Sequence, residues 1–540
     1  MFLDTKGYFS LIRLSIPLFV EYSILIGLAG LLCFQSVYAL FKLIETSKRK
    51  TTKTRFKSFS KTIILLIIIQ TAVGAIIFSW ELIELVWTNR QEMSKSVTSN
   101  TDKDMNVIIV LVDALRVDHL GCYGYKRPTS PFIDTFARSG TLFKNCYAQC
   151  SWTAPSVASL FTSLYPSLHG VTTSEYMLPD QVITIAEALR REGYVTYCYL
   201  SNPSITRLKN YNQGFDYFDD YLMKDRMLYA VSRNLPIFKY VINTIPGLRF
   251  QWQDRDSAQI ANKRIFSWLD RHKDDNFFMY LHYMEPHDPY SPPYPYNAMF
   301  PYVLGNEVTR LIASYDGEIR FFDDKFKELI WKLKSLGIYD KTLIILTSDH
   351  GEGFYEHGAG GHGHTIYEYE LKVPFIIKHK DYIPEWKEVI MPVRLIDIMP
   401  TVLDILDIDY EVAINGRSLY PLLKTPKSDM ETKDIYVELV SGVSNEYVIK
   451  GLIKGDWKYI LTESSGLRDV QKLGHDELYN LKYDPRESHN LIDRFPDVLT
   501  NIRKEFNRYK EYCSDNAIIP PKVEIDFESV EALRSLGYLQ

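Results

Sequence analysis

The sequence predicts an α/β fold in which a central sheet of buried strands is covered by helices. Four apolar runs, at residues 107–112, 195–200, 277–283 and 342–346, consist mainly of aliphatic and aromatic residues, as is typical of strands buried on both faces of a parallel sheet. Segments with helical spacing separate these runs, which is the alternation expected of an α/β domain. Polar residues follow the runs, at the strand ends where such sheets bind ligands.

Composition and local sequence pattern predict the domain organisation of the chain. Its 540 residues are 46% hydrophobic and 24% charged, with a formal net charge of −5, so there is no basic excess and no nucleic-acid partner is expected. After about Pro426 short strand-like pieces predict a smaller α+β lobe. The predicted parts are an anchor at 1–90, a polar linker at 91–105, a large α/β domain at 106–425 and a C-terminal subdomain at 426–540.

Two apolar segments near the N-terminus, Ser15–Phe41 and Thr62–Trp87, are each long enough to cross a bilayer as a helix. The loop between them carries one acid, Glu45, and the basic residues Lys42, Lys48, Arg49, Lys50, Lys53, Arg55, Lys57 and Lys61. By the positive-inside rule this loop is cytoplasmic. We therefore expect a cell-membrane protein with two transmembrane helices and an extracytoplasmic domain from about residue 88 onward. The alternative is a pair of buried globular helices.

Helical spacing and strand-like runs predict the remaining elements. Helices are expected at Thr129–Arg138 (capped by Ser130), Val182–Arg191, Ser257–His272, Asn306–Leu336, Val393–Leu406 and Asp497–Cys513. In the C-terminal lobe strands are expected at 434–440, 446–454 and 457–462. For the cysteines after the anchor, a Cys146–Cys150 disulfide outside the cell and free thiols are both open.

The segment Thr342–Lys378 has the strongest chemical signal. An apolar run ends in Thr-Ser-Asp349-His350-Gly-Glu, and a loop rich in Gly and His follows. A second apolar run, at 372–378, closes the unit and is also expected to be a buried strand of the parallel sheet. Four of the twelve histidines of the chain fall here: His350, His357, His362 and His364. A carboxylate followed by imidazoles at a strand end indicates a metal or phosphate-type site. The alternative is a polar surface loop.

Asp113 occupies the equivalent position after the run at 107–112. Two carboxylates at the ends of adjacent strands repel each other unless a cation lies between them, so Asp113 and Asp349 together favour a metal site. Asp113 could instead only cap the following helix.

Other polar residues lie at further strand ends or before a helix. Ser and Thr cluster ahead of a helix that should start near Pro155, and a hydroxyl there meets the positive end of the helix, which stabilises an alkoxide or a bound oxyanion. For Thr153 the alternative is ordinary N-capping. Asn202 follows the run at 195–200, and His287 lies in a Pro-rich loop after the run at 277–283, where a lone histidine is more often structural.

From about Asn106 to Leu539 the chain resembles the sulfatase family of the alkaline phosphatase superfamily. The matching blocks, in family order, are VDALRVDHLGCYGY, SWTAPSVASLFTSLYP, LHYMEPHDPY, TSDHGEGFYEHG, HGHTIYEYELKVPFII, DWKYI, ELYNLKYDPRESHNL and LRSLGYL. The resemblance implies an alkaline-phosphatase-like mixed sheet between helices with a small C-terminal subdomain. It also implies one divalent metal ion and the hydrolysis of an ester through a covalent intermediate on a hydroxyl nucleophile.

The resemblance also assigns roles to individual residues. Asp113, Asp349 and His350 match metal-ligand positions, and Thr153 matches the nucleophile, whose oxygen also binds the metal. His287 matches the histidine that contacts the ester oxygens. His364 lies where the family places a basic group on the leaving or equatorial oxygen, with His362 as the alternative. Asn202 lies near a further Lys/His region of the family.

The chain departs from the family at its maturation motif, which is Cys or Ser, any residue, Pro, any residue, Arg. Here the residues are Thr153-Ala154-Pro155-Ser156-Val157. Formylglycine arises by oxidation of a CH₂ group, and threonine carries a methyl on that carbon, so no formylglycine is expected. The metal is expected to be Ca²⁺, with Mn²⁺, Mg²⁺ or Zn²⁺ as alternatives. The imidazole of His350 makes the site softer, which favours Mn²⁺ or Zn²⁺ among these alternatives.

Three functions remain open on this reading. The first is metal-dependent hydrolysis of sulfate or phosphate esters. The second is a phosphotransferase or phosphodiesterase that modifies a surface glycan or lipid, which the anchor and Thr153 favour. The third is an inactive homologue that binds an anionic glycan, which the retained candidate ligands argue against.

The predicted topology has a direct test. A periplasmic-type alkaline phosphatase reporter fused after Asp104 should be active in cells, because the basic loop holds both ends of the anchor outside. The matched fusion within the loop, after Lys50, should be inactive. If a reporter fused after Asp104 is active only when it lies in the cytoplasm, the predicted topology is wrong.

Overall fold

The computed structural model describes residues 104–220, 258–410, 413–424, 430–440, 447–464 and 476–523. The predicted anchor, the linker up to residue 103 and the end of the C-terminal subdomain lie outside these residues. Within them, no helix is both long and apolar enough to span a membrane. The anchor and the domain boundaries therefore stay predictions.

The strands are β1 (Asn106–Val112), β2 (Thr141–Tyr147), β3 (Val195–Tyr199), β4 (Tyr217–Asp219), β5 (Phe277–Tyr283), β6 (Thr342–Thr347), β7 (Gly353–Phe354), β8 (Gly360–Gly361), β9 (Lys372–Lys378), β10 (Lys387–Val389), β11 (Val393–Arg394), β12 (Ile435–Val440), β13 (Tyr447–Lys454), β14 (Trp457–Ser464) and β15 (Glu477–Asn480). The helices are α1 (Pro131–Arg138), α2 (Thr153–Thr162), α3 (Pro166–His169), α4 (Ile185–Arg191), α5 (Ala258–His272), α6 (Glu307–Ser335), α7 (Glu368–Leu371), α8 (Ile398–Leu406), α9 (Tyr420–Lys424) and α10 (Pro496–Asn516). Short 3-10 helices lie at Val117–His119, Gly121–Tyr123, Arg207–Lys209, Tyr296–Ala298 and Leu395–Asp397.

A nine-stranded mixed sheet forms the centre of the α/β domain, in the order β10-β2-β9-β6-β1-β5-β3-β4, with β11 also paired to β2. Alternate residues of β1 point to opposite faces: Val107, Ile109 and Leu111 join one apolar core, and Ile108, Val110 and Val112 join the other. Burial on both faces explains why the run is continuously apolar. The expected α/β class and its mixed sheet are thus confirmed.

Strands β1, β3, β5 and β6 are mutually parallel, so their carboxyl ends lie at one edge of the sheet. The expectation of a parallel strand at 372–378 is wrong, because β9 runs antiparallel to both β6 and β2. The connection from β6 to β9 stays at the carboxyl edge and contains no helix that crosses back, so the chain must re-enter in the opposite direction. Since β2 is antiparallel to β9, β2 also ends at this edge.

The C-terminal lobe contains an antiparallel sheet in the order β12-β13-β14-β15, followed by α10. The predicted strands and helix of this lobe are confirmed, with ends that shift by a few residues. In the described part of the chain all five cysteines are free thiols, so Cys146 and Cys150 form no disulfide.

Several helix predictions need correction. Helix α4 begins at Ile185, not Val182, because Thr184 and Glu187 form a capping box. The expected helix at 393–406 begins only at Ile398, because Val393 and Arg394 pair with β2 as strand β11.

Ser130 stands at the cap position of α1 but its side chain does not cap the helix. It donates a hydrogen bond to Asp134 at 2.9 Å instead. The first backbone N–H groups of α1, at Phe132 and Ile133, donate to Asp323 of α6 at 2.7–3.1 Å. A cap from 190 residues away leaves no local signal in the sequence.

A buried histidine supports the helix that carries Thr153. His169, at the end of α3, is fully buried; its Nδ1 accepts the backbone N–H of Val171 and its Nε2 lies 3.1 Å from Oγ of Ser159 in α2. The proton of the neutral ring is therefore on Nε2, which donates to Ser159. Burial lowers the pKa of His169 to about 3.

This histidine should make stability fall in acid. The folded-state pKa lies below the unfolded value of roughly 6.5, so the unfolded chain binds the proton first, and stability decreases as pH falls from about 6.5 toward 3, by at most about 1.4 kcal/mol per pH unit. Replacing His169 by Asn should flatten this part of the curve in thermal unfolding between pH 7.5 and 5. The control His489→Asn, at an exposed site, should leave the slope unchanged. An identical slope in His169→Asn would contradict the assignment.

Candidate metal centre and active site

The carboxyl edge of the large sheet gathers the chemically active side chains. Asp113 follows β1, Asp349 follows β6, Asn202 follows β3, and His282 lies on β5 opposite Leu111 of β1. Each of these side chains is at most 1% exposed. Because β5, β1 and β6 are adjacent, the two aspartates lie at neighbouring strand ends, as the sequence predicts.

Each aspartate uses one carboxylate oxygen within the protein and leaves the other without a hydrogen bond. Oδ1 of Asp349 accepts the backbone N–H groups of His350 at 3.0 Å and Ala114 at 3.3 Å. Oδ2 of Asp113 accepts from His282 at 2.9 Å and from Asn202 at 2.7 Å. The remaining oxygens, Oδ1 of Asp113 and Oδ2 of Asp349, are buried without a hydrogen-bond partner. Buried anionic oxygens left in this state are costly unless a cation binds them.

His350 presents a nitrogen to both of these oxygens. Its Nδ1 donates to the carbonyl of Gly351 at 2.8 Å, which leaves Nε2 as the lone-pair nitrogen. Nε2 lies 3.6 Å from Oδ1 of Asp113 and 3.4 Å from Oδ2 of Asp349. The hydroxyl oxygen of Thr153 is 3.3 Å from the same nitrogen.

These four atoms are a candidate donor set for one divalent cation, because three of them lie 3.3 to 3.6 Å from Nε2 of His350. Ligands around a single ion at its usual contact distances stand roughly 3 to 3.6 Å apart, which is the spacing around Nε2 of His350. Two carboxylate oxygens, an imidazole and a hydroxyl suit Mn²⁺ or Zn²⁺ as well as Ca²⁺ or Mg²⁺. Asp113, Asp349, His350 and Thr153 would hold the ion.

His282 completes a second grouping, because ligand atoms of Asp113, His282 and Asp349 lie within 4.8 Å of one another. Both nitrogens of His282 are already engaged, however. Nε2 is 2.9 Å from Oδ2 of Asp113, and Nδ1 is 2.9 Å from the hydroxyl of Tyr280. These hydrogen bonds of His282 favour the donor set around His350 as the candidate metal centre.

Thr153 is the first residue of α2, so the helix begins two residues before Pro155. The cap position is Trp152, whose side chain makes no capping bond, and the N-capping alternative for Thr153 is therefore wrong. The Thr153 hydroxyl instead accepts from Nδ2 of Asn202 at 3.2 Å and donates to His350. It faces the site from the positive end of a ten-residue helix.

Two further imidazoles close the site above His350. The ring of His362 lies 4.3 Å from the ring of His350 and 4.8 Å from that of His287, centre to centre. His362 Nδ1 is 3.1 Å from Glu352, a fully buried carboxylate. His364 is exposed on the same loop. The structure thus brings His287 and His362, the alternative to His364, to the site.

The buried charges at this edge shift one another's pKa values. Burial opposes the charged form of His362, but the carboxylate of Glu352 outweighs this and raises the pKa of His362 to about 9. Burial lowers the pKa of His287. For Asp113, burial opposes ionisation, but the charges of His287, His282 and His350 outweigh it and hold the pKa well below its ordinary range.

The sequence missed two members of this site, His282 and Glu352. A signal for His282 was present, since it is the one imidazole in the otherwise apolar and aromatic strand FFMYLHY. Glu352 could be found only as an acid beside the Asp-His pair, and nothing local shows that it reaches His362.

The comparison with known proteins agrees with this architecture. Residues 105–408 match the family described as Sulfatase, and residues 356–511 match the C-terminal domain of N-sulphoglucosamine sulphohydrolase. Since the first match spans more than half of the chain, the protein belongs to the sulfatase family. It is a hydrolase of that family, as the sequence predicts.

Individual relatives are distant but cover most of the chain. The uncharacterised sulfatase YidJ of Escherichia coli is 25% identical over 464 residues, covering 76% of this chain and 88% of the relative. The N-acetylgalactosamine-6-O-sulfatase of Bacteroides thetaiotaomicron is 24% identical over 511 residues, covering 76% and 94%. The structure of the phosphonate monoester hydrolase of Agrobacterium radiobacter superposes with a TM-score of 0.61 at 21% identity, covering 76% of this chain and 96% of the other.

The candidate donor set predicts that metal binding depends on the carboxylate of Asp349 and not on that of Glu352. In Asp349→Asn the amide oxygen still accepts the two backbone N–H groups, but the charged oxygen toward the ion is lost. Metal affinity should fall at least about 100-fold, beyond the 10–100-fold typical of residues behind the ligands. Glu352→Gln, which changes a buried carboxylate two residues beyond His350, should bind metal nearly as the unmodified protein does. Equilibrium dialysis with elemental analysis measures both, and stoichiometric metal in Asp349→Asn would overturn the assignment.

Proposed function

We propose that this protein is a metal-dependent ester hydrolase that uses Thr153 as its nucleophile, without formylglycine. The observation that carries the proposal is the position of the Thr153 hydroxyl at the start of α2, in contact with Asn202 and with the donor nitrogen of His350. A nucleophile at that point would attack the ester beside the buried oxygens of Asp113 and Asp349, which would hold the cation. When bound, the cation supplies charge neutralisation for the substrate and lowers the pKa of the hydroxyl.

The protein's own residues then account for the reaction in two displacements. Oγ1 of Thr153 gives up its proton to solvent and bonds to the sulfur or phosphorus as the bond to the leaving-group oxygen breaks. The leaving-group oxygen takes a proton from His287 or His362 and departs as the alcohol, which leaves an ester on Thr153. His287 and His362 donate hydrogen bonds to the oxygens that gain charge. A water molecule then displaces Oγ1 in line and restores the hydroxyl. Asn202 orients Oγ1 through both steps.

The residues of α2 support a route without the family's modified residue. Threonine cannot yield the aldehyde whose hydrate expels sulfate by elimination, so the covalent ester must be cleared by a second in-line attack. Val157 takes the motif's Arg position and is fully buried in the apolar core. That position therefore gives the substrate no positive charge.

The substrate is a sulfate or phosphate ester, and phosphoryl chemistry is the second candidate. Phosphoryl groups tolerate two successive in-line displacements well, which suits Thr153. The relatives include, by name, an N-acetylgalactosamine-6-O-sulfatase and a phosphonate monoester hydrolase. We propose a glycan or lipid ester at the cell surface, since the apolar segments Ser15–Phe41 and Thr62–Trp87 would hold the domain at the membrane.

Turnover by the full-length protein in detergent, with Ca²⁺ or Mn²⁺ added, tests the proposal. An aryl sulfate, an aryl phosphate diester and an aryl phosphonate monoester serve as substrates. Thr153→Ala should lose about 10³-fold or more in kcat/KM, because a nucleophile is removed, and Thr153→Ser should retain activity. The control Thr135→Ala, at an exposed threonine of α1, should match the unmodified protein.

The outcomes separate the candidates. Activity on the phosphate diester that is lost in Thr153→Ala supports the phosphoryl route, and acceleration by an added alcohol then supports a transferase. Thr153-dependent activity on the sulfate shows that sulfate can be cleared by displacement. Equal turnover by Thr153→Ala and the unmodified protein would overturn the proposed nucleophile.

A further inference from the structure

Behind the metal centre, three fully buried side chains form a hydrogen-bonded row: Tyr280, His282 and Asp113. The Tyr280 hydroxyl is 2.9 Å from Nδ1 of His282, and Nε2 of His282 is 2.9 Å from Oδ2 of Asp113. We propose that Tyr280 and His282 are positioning residues that hold Asp113 as a metal ligand through Oδ1 alone, and that His282 does not itself bind the metal. This proposal rests on the metal centre of the proposed function and assigns a role to residues outside its donor set.

The direction of the two hydrogen bonds follows from the chemistry of the partners. A carboxylate can only accept, so the proton of His282 is on Nε2 and is donated to Asp113. Nδ1 then carries the lone pair and accepts the hydroxyl proton of Tyr280. Burial raises the pKa of Tyr280 well above its ordinary value, so this hydroxyl keeps its proton. Neither nitrogen of His282 has a lone pair left for a metal.

Oδ2 of Asp113 already accepts two hydrogen bonds from protein side chains. Oδ2 accepts both His282 and Nδ2 of Asn202, and the amide of Asn202 is itself oriented because its Oδ1 accepts the backbone N–H of Ser204 at 2.8 Å. A carboxylate held at one oxygen by two donors cannot turn to present both oxygens to an ion. Oδ1 is therefore the oxygen that remains for the metal.

Rigid elements hold the row in place. His282 lies on β5 in parallel register with Leu111 of β1, two residues before Asp113. Tyr280 packs edge-on against Phe161 of α2, with ring centres 4.7 Å apart. The same tyrosine therefore contacts the helix that carries Thr153 and the histidine that holds Asp113. Support of this kind fixes a ligand's angle more closely than a loop could.

The number of imidazoles on the metal tests the proposal in the unmodified protein. The full-length chain in detergent, stripped with chelator and loaded with Mn²⁺, should show in electron spin echo spectra the nitrogen coupling of one directly bound imidazole. His350→Ala should remove that coupling and His282→Gln should leave it. Coupling from two imidazoles, or a coupling lost in His282→Gln, would overturn the proposal.

Metal affinity supplies a readout that separates positioning from simple structural support. His282→Ala should weaken Mn²⁺ binding about 10–100-fold, as is typical for residues behind a ligand. His282→Gln should recover most of this loss, because its amide N–H₂ can still donate to Asp113, and Tyr280→Phe should show a smaller loss. The matched control is Tyr283→Phe, which removes another buried hydroxyl of β5 that donates to Asn262 in the opposite layer; it should bind metal normally.

The two proposals fail in different ways. If Thr153 is not the nucleophile, Thr153→Ala turns over the substrate as fast as the unmodified protein does, while the metal affinities and nitrogen couplings stay as described. If His282 is a ligand, His282→Gln binds no better than His282→Ala while Thr153-dependent turnover persists. Equal affinities for Tyr280→Phe, His282→Ala and the unmodified protein would overturn the positioning role outright.

Discussion

The structure depends on two buried carboxylates, Asp113 and Asp349, at the ends of neighbouring strands. Oδ1 of Asp113 and Oδ2 of Asp349 are both buried without a hydrogen bond at the ends of the two central strands, 3.6 and 3.4 Å from Nε2 of His350. Their repulsion is tolerable because each aspartate is fixed through its other oxygen and because imidazoles surround the pair. The central strands must be rigid and buried for this arrangement to persist, which explains why β1 and β6 are apolar on both faces.

Two groups of residues surround the two aspartates and have different roles. Donors on the protein side (His282, Asn202 and the backbone of His350) occupy the oxygens that face the core. The groups on the other side, Thr153 and the rings of His287 and His362, face the space where an ester would lie. Tyr280 links the two groups, because it contacts both His282 and Phe161 of α2.

The sequence predicted those site residues and elements whose positions are set by the local sequence, and it missed those set by tertiary contacts. Asp113 and Asp349 were predictable because each directly follows an apolar run, and parallel strands end at one edge. His282 was missed because its partners come from β1 and from the same strand's interior, and a single histidine in an apolar strand has no fixed meaning. His362 rather than His364 reaches the site because it contacts Glu352. The first N–H groups of α1 are capped by Asp323 of α6. Both are tertiary contacts that the local sequence does not show. The reversed direction of β9 followed from a connection that lacks a crossover helix, which a run of apolar residues does not reveal.

The central position of β1 has a consequence for how the protein is made. This strand is the first of the sheet to be synthesised, yet its two neighbours, β5 and β6, follow only at residues 277–283 and 342–347. At ribosomal speeds of about 5–20 residues per second, β1 stays without its last partner for roughly 10–50 s. During that interval an apolar, β-branched segment is open to wrong pairing. β1 therefore stays open to misfolding until β6 is made, and we expect destabilising changes in β6 to lower the yield of folded protein before they lower its activity.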